Sequence, residues 1–152
     1  MPDPHPHERL IRDFHDRQND FYAGGDQQRV CALLSDDVVW HVPGGSPIAG
    51  DYKGRDEVLR YFAKRRELTG ATFRIKVRSV LTDDERTLIL ATGEAERGGE
   101  TREWGTVAIF RIAKGRIAEC WVAPYDQDAY DEIWSATGSS RVAPMDAADR
   151  QR

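Results

Sequence analysis

The stretch DDVVWHVPGGSPIAGDYKGRDEVLRYF, Asp36 to Phe62, sets a strand, a Gly/Pro-rich reversal and the start of a helix in one short run. Val38, Val39, Trp40 and Val42 are strand formers, and Pro43 ends the ladder because it has no N–H to donate. Gly44, Gly45, Pro47 and Gly50 then turn the chain back, and a helix is expected from about Asp56. A strand feeding a tight reversal and a packed helix makes a fold that can enclose a pocket.

Upstream of this run, Ile11, Phe14, Phe21 and Tyr22 fall on one side of a helical wheel between Glu8 and Ala23, opposite Arg9, Arg12, Asp13, Asp16 and Asp20. Gly24 and Gly25 stop that helix. Asp26 is placed to cap a second, short helix with Val30, Leu33 and Leu34 on its buried stripe. The third helix carries Val58, Leu59, Tyr61, Phe62 and Leu68 and ends at Gly70. Downstream the period changes to two. Phe73, Ile75 and Val77 alternate with Arg74, Lys76 and Arg78, which marks a strand with one wet face. Turns at Asp83-Asp84, Gly98-Gly99 and Lys114-Gly115 divide the rest into long hairpin strands, so the class is α+β with a curved antiparallel sheet.

The 152 residues suit one domain, expected over residues 8–135, with residues 1–7 a flexible start and residues 136–152 a small, polar, disordered tail. Hydrophobic residues at 39% and charged residues at 32% describe a globular chain, and a net charge of −4 argues against nucleic acid. The basic trio Lys64, Arg65 and Arg66 reads as a solvated helix end that complements the dipole. Cys31 and Cys120 lack the spacing of a metal site or disulfide framework and are expected as buried free thiols. The start MPDPHPHERL has no apolar run of signal-peptide length, and no stretch of about 18 apolar residues occurs, so a cytoplasmic protein without a membrane partner is expected. No metal is expected from His5, His7, His15 and His41, nor any cofactor, since the glycines at 44, 45, 50 and 54 form no phosphate loop.

The order of elements, together with AGGD, LLSDDVVWHVPG, GRDEV, FRIAKGRIAECW and YDQDAYDEIW, resembles the SnoaL-like branch of the nuclear transport factor 2-like superfamily, over roughly residues 8–135. The resemblance implies a cone-shaped curved sheet wrapped around three helices, a deep apolar cavity and a homodimer built on the sheet's outer face. Ile109, Ile117 and Trp121 are the candidate interface positions. Many activities share this scaffold, so site residues must decide function. The ketosteroid isomerase pattern of the superfamily can be laid on the chain, but its tyrosine donor falls at Gln18, its aspartate base at Val42 and its second acid at Ala108. Val42 takes no proton, so that chemistry lacks its base.

Three residues are candidates for catalysis. His41 titrates near neutral pH, although strand alternation sets it opposite Val42, and a backbone or dimer-face role is its plainer reading. Asp126 resembles the cavity-mouth aspartate of SnoaL-like cyclases, and its spacing also suits an N-cap for a helix holding Ala129, Tyr130, Ile133 and Trp134. Asp128 and Asp131 read as solvated. Gln18 shares a helix face with His15 and Tyr22. As the overlay orients them, Trp104, Thr106, Ala108 and Phe110 on one strand and Cys120 and Val122 on the next form a ligand wall with Trp40, Val42 and Tyr125.

The reading that follows is a protein binding a small apolar molecule, with isomerase- or cyclase-like proton transfer on a hydrophobic carbonyl compound. The alternatives are a non-catalytic ligand-binding or dimerisation module and an epoxide hydrolase-like enzyme. The last needs an Asp, Arg, Asp relay, against which Arg111 counts because it alternates away from Phe110.

Overall fold

The computed structural model describes residues 3–135, so the expected tail at 136–152 lies outside the described residues. Helix α1 (Pro6–Tyr22) leads into α2 (Gln27–Cys31), then strands β1 (Leu34–Val42) and β2 (Gly50–Lys53), helix α3 (Arg55–Leu68), the meander β3 (Arg74–Thr82), β4 (Arg86–Arg97), β5 (Glu100–Ala113) and β6 (Arg116–Pro124), and helix α4 (Gln127–Ser135). The first helix starts inside the segment expected to be flexible. Pro6 has the φ a helix needs at its first position, and the His5 ring accepts the His7 N–H.

The strands form one curved sheet in the order β2-β1-β6-β5-β4-β3. Its pairings are antiparallel except β1 with β6, which run parallel because the chain crosses the helical layer before returning beside β1. Register shifts between Val77 and Ser79 and between Arg111 and Ile112 insert bulges, and bulges bend and twist the long strands around the helices. The four-residue β2 was not foreseen. Two of its residues, Asp51 and Lys53, are charged, and it pairs only along one edge.

Burial follows alternation. On β1, Val38, Trp40 and Val42 are buried while Val39 and His41 are half-buried. The inner face packs on α1 through Ile11, Phe14, Phe21 and Tyr22, and on α3 through Val58, Tyr61 and Phe62. Asn19 secures the free edge of the sheet. Its side chain donates to the Ile75 carbonyl at 2.8 Å and accepts the Ile75 N–H at 2.9 Å, occupying backbone groups that an edge strand would otherwise leave open. Arg97 donates to the carbonyls of Leu68, Ile133 and Trp134, which ties the end of α3 to the end of α4. Ile117 is fully buried in the core, which removes it from any outer interface, whereas Ile109 and Trp121 are half-buried on β5 and β6. Among the described residues no helix is long and apolar enough to cross a membrane.

One close approach shapes the inner face. Gly93 pairs directly with Trp104 across β4 and β5, and a Cβ there would lie 2.5 Å from the indole. The ring lies over the bare backbone and stacks on Phe73 at 5.6 Å. Gly93→Ala is therefore expected to displace Trp104 and cost about 1–3 kcal/mol in chemical denaturation. An unchanged unfolding midpoint would show that the indole shifts without loss.

Candidate functional site

Inside the cone, α1, α3, α4 and the inner face of the sheet enclose a cavity with mostly apolar walls. Trp40, Phe73, Trp104 and Phe110 supply aromatic surface, and Ala108, Cys120 and Val122 complete the wall nearest β6. The open space is small, about 50 Å³, which is room for a few waters; a ring the size of benzene needs about 150 Å³, so an aromatic ligand must displace wall side chains to enter.

Polar groups enter this space mainly from the helices. The buried stripe of α1 runs Ile11, Phe14, His15, Gln18, Phe21 and Tyr22, so helical spacing carries His15 and Gln18 inward with the core residues. His15 Nδ1–H donates to the Ile11 carbonyl at 2.8 Å, which fixes the tautomer and leaves Nε2 as the acceptor. Burial lowers its pKa from 6.5 to about 4; the Ile11 bond opposes that shift and the Arg65 charge adds to it, so the ring is neutral at neutral pH. Gln18 is 1% exposed and its Oε1 has no hydrogen-bond partner among the described residues.

Arg65 is the residue that the sequence reading misplaced. Rather than ending a solvated helix, it is 5% exposed and lines the cavity. Its guanidinium carbon stands 4.3 Å from the centre of the Tyr61 ring, 5.0 Å from Phe73, 5.5 Å from Tyr22 and 5.6 Å from Phe62. None of the ion pairs among the described residues includes it, and its Nε has no hydrogen-bond partner there. Burial opposes its charge, but a guanidinium keeps its proton even when buried, so it stays a cation. Burial in turn raises the tyrosines, Tyr130 to about 12, and lifts the Cys120 thiol well above its usual range, so all of them are neutral.

Of the residues expected at the site, the structure brings His15, Gln18, Trp40, Trp104, Thr106, Ala108, Phe110, Cys120 and Val122 to one cavity. Tyr22 and Val42 are buried beside it in the core. The remaining three are elsewhere. Tyr125 is 63% exposed and lies flat against Gly105, because it follows the end of β6 on the outer side. Asp126 is exposed and accepts the Ala129 N–H at 3.0 Å, a helix cap rather than a cavity acid. Asp131, expected to be solvated, accepts the Gly45 N–H and a Gln127 amide proton.

His41 points to the outer face of the sheet. Its Nδ1 meets Asp51 at 2.8 Å, its Nε2 meets Glu119 at 2.6 Å, and its ring stacks on Trp121. Partial burial opposes a charge there, but the bonds to Glu119 and Asp51 outweigh it and raise the pKa. Arg111 donates to the same Glu119 at 3.3 Å, so it too belongs to the outer cluster. Besides Arg65, the sequence reading did not place Tyr130 and Gly93 on the cavity. A signal for Arg65 existed: Val58, Tyr61, Phe62, Arg65 and Thr69 stand at i, i+3, i+4, i+7 and i+11, the spacing of one helix face.

The chain belongs to the SnoaL-like domain family, whose pattern matches residues 12–120. Among solved structures it is similar to Bal32a from a soil-derived mobile gene cassette, at 31% identity and a TM-score of 0.75, covering 86% of this chain and 99% of that one. It also shares its fold with TerC co-crystallised with polyporic acid, at 18% identity, a TM-score of 0.75 and coverage of 87% and 100%. A protein from Jannaschia sp. CCS1 assigned as a SnoaL-like polyketide cyclase matches at 13% identity with a TM-score of 0.72, covering 90% and 99%. No curated protein matches the sequence.

The folded pKa of His15 lies below its unfolded value, so its contribution is fully present above about pH 6.5 and is lost as pH falls toward 4, by up to about 3 kcal/mol. His41 is the opposite case: its raised pKa gives stability below its unfolded value that is lost as pH rises through the folded one. Unfolding midpoints measured across pH should lose the acid limb in His15→Gln and the neutral-to-alkaline limb in His41→Gln; unchanged slopes would contradict these assignments. Separately, Arg65→Met should leave the ligand-free protein as stable as wild type or up to about 4 kcal/mol more stable, because an unpaired buried charge is removed. A loss above about 2 kcal/mol would show that the ring contacts outweigh desolvation.

Proposed function

We propose that this SnoaL-like protein binds a small aromatic or otherwise apolar carbonyl compound in the cone and moves a proton on the carbon beside the carbonyl. The observation that carries the reading is the pairing of a neutral, tautomer-fixed His15 with the fixed positive charge of Arg65 inside an aromatic cavity. His15 Nε2 accepts a proton from the α-carbon; the C–H electron pair becomes the enolate double bond, and the carbonyl π pair moves to oxygen, where Arg65 stabilises it. Return of the proton to carbon completes an isomerisation or precedes ring closure. An imidazole with a pKa of about 4 is a weak base, so the reaction is restricted to C–H bonds acidified by an aryl or second carbonyl group.

That same low pKa favours a second reading, a non-catalytic binder in which His15 only accepts a hydrogen bond. In either case the half-buried Ile109 and Trp121 on the outer face are the positions we assign to a homodimer contact. The relatives lend support at the level of fold, since TerC was co-crystallised with polyporic acid and the Jannaschia protein is assigned as a cyclase.

Deuterium exchange at the benzylic carbon of phenylacetone and of phenylpyruvate, followed by NMR, tests the proposal. Accelerated exchange that falls by about 10²-fold or more in His15→Gln is expected. Binding of both ketones without acceleration would leave the binder reading.

A further inference from the structure

We propose that the cavity selects an anion: a small aromatic oxyacid, either a carboxylic acid or an acidic phenol or enol, seated with its ionised oxygen at the Arg65 guanidinium. This rests on the reading of the cavity as a ligand site and specifies what that site takes. The argument is one of charge balance. Every titratable group that faces Arg65, namely His15, Tyr22, Tyr52, Tyr61, Tyr130 and Cys120, is neutral at neutral pH. The described lining of the cavity therefore holds one positive charge and no negative one. A guanidinium cannot shed its proton to escape burial, so the charge persists whether or not a ligand is bound.

Its surroundings define the rest of the ligand. The Tyr61 and Phe73 rings occupy positions near the guanidinium, and Nε is without a partner among the described residues. The Tyr22 and Tyr61 hydroxyls beside it are also buried without a hydrogen-bond partner there, and both can donate to an anionic oxygen, whereas the equally unpartnered Gln18 Oε1 can only accept. Beyond them the walls are aromatic, with Trp40, Trp104 and Phe110 facing the space. One cation against such walls suits a single ionised group on a flat apolar body. A phosphate or sulfate, with more charge and no second cation among the described lining residues to meet it, would be poorly satisfied. A 2-oxo carboxylate fits the proposed proton transfer as well, because the planar guanidinium fork can take the carboxylate and the adjacent carbonyl oxygen together.

The dye 4-nitrophenol tests this directly, because only its phenolate is yellow and its ionisation lies near neutral pH. Bound to the wild-type protein, it should ionise at a pH lower by about one unit or more, about a tenfold preference for the anion. Arg65→Met should bind the dye with that displacement abolished or reversed, and Arg65→Lys should keep part of it. Benzoate should likewise bind at least about tenfold tighter than benzamide, a comparison that needs only the wild-type protein should Arg65→Met fail to fold. Preference for the neutral phenol, equal affinity for benzoate and benzamide, or an unchanged displacement in Arg65→Met would overturn the proposal while leaving a ligand cavity in place. Absence of binding by the dye, benzoate and benzamide alike would remove the cavity reading itself, and this proposal with it.

Discussion

A positive charge that cannot be neutralised sits inside this cone with no carboxylate among the described residues to answer it, and the arrangement of the interior depends on that fact. Contacts with aromatic faces are worth about 0.5–2 kcal/mol each when desolvated, whereas burying an ion costs several kcal/mol. The rings of Tyr61 and Phe73 therefore soften the penalty for Arg65 without cancelling it. The apolar core built from α1, α3 and the inner sheet must supply the difference. Stability has been given up at one position inside an otherwise well-packed domain, and such concessions concentrate where function requires them.

The sheet separates two electrostatic regimes across the thickness of one strand. On β1, Trp40 faces the dry interior while His41, the next residue, faces outward between Asp51 and Glu119. The outer histidine is held toward its charged form by carboxylates, and the inner one, His15, is held neutral by burial and by the nearby cation. Glu119 serves both His41 and Arg111, whose bonds lower its pKa although partial desolvation pushes it the other way. The titratable carboxylates of this region thus lie on the face where water can share their charge, and among the described residues the buried charges are of a single sign.

Much of the architecture was legible because it rests on local signals. Gly98-Gly99 and Lys114-Gly115 mark hairpins whatever surrounds them, and the period change after Phe73 separates helix from strand. The inward wall of β5 and β6 was legible too, once alternation had a family frame to set its phase. What was not legible depended on long-range packing. Arg65 stands between Lys64 and Arg66 in a basic block, and composition hides the fact that it alone continues the buried stripe through Val58, Tyr61 and Phe62. The α4 acids were ambiguous for a related reason, since Asp126 satisfies a backbone donor in its own helix whether or not a cavity lies nearby. Tyr125 looked like a wall residue from its position after β6, but the chain has by then left the inner face and the ring covers Gly105 instead.

The chemistry open to the site is narrow because its charge does not vary. His15 gains a proton only near pH 4 and Tyr130 loses one only near pH 12, while burial holds the Cys120 thiol protonated well past neutrality. Between those limits the described lining of the cavity keeps one fixed positive charge, supplied by a group that neither gains nor loses a proton. Such a charge is suited to stabilising an oxygen that becomes or already is negative, and it removes the need for a protonated acid at that place. The buried thiol, for its part, lacks the thiolate character a nucleophile requires. Across ordinary pH, then, any dependence of binding on acidity must come from the ligand or from the outer cluster around His41. Those two sources lie on opposite sides of the sheet, where substitutions can address them one at a time.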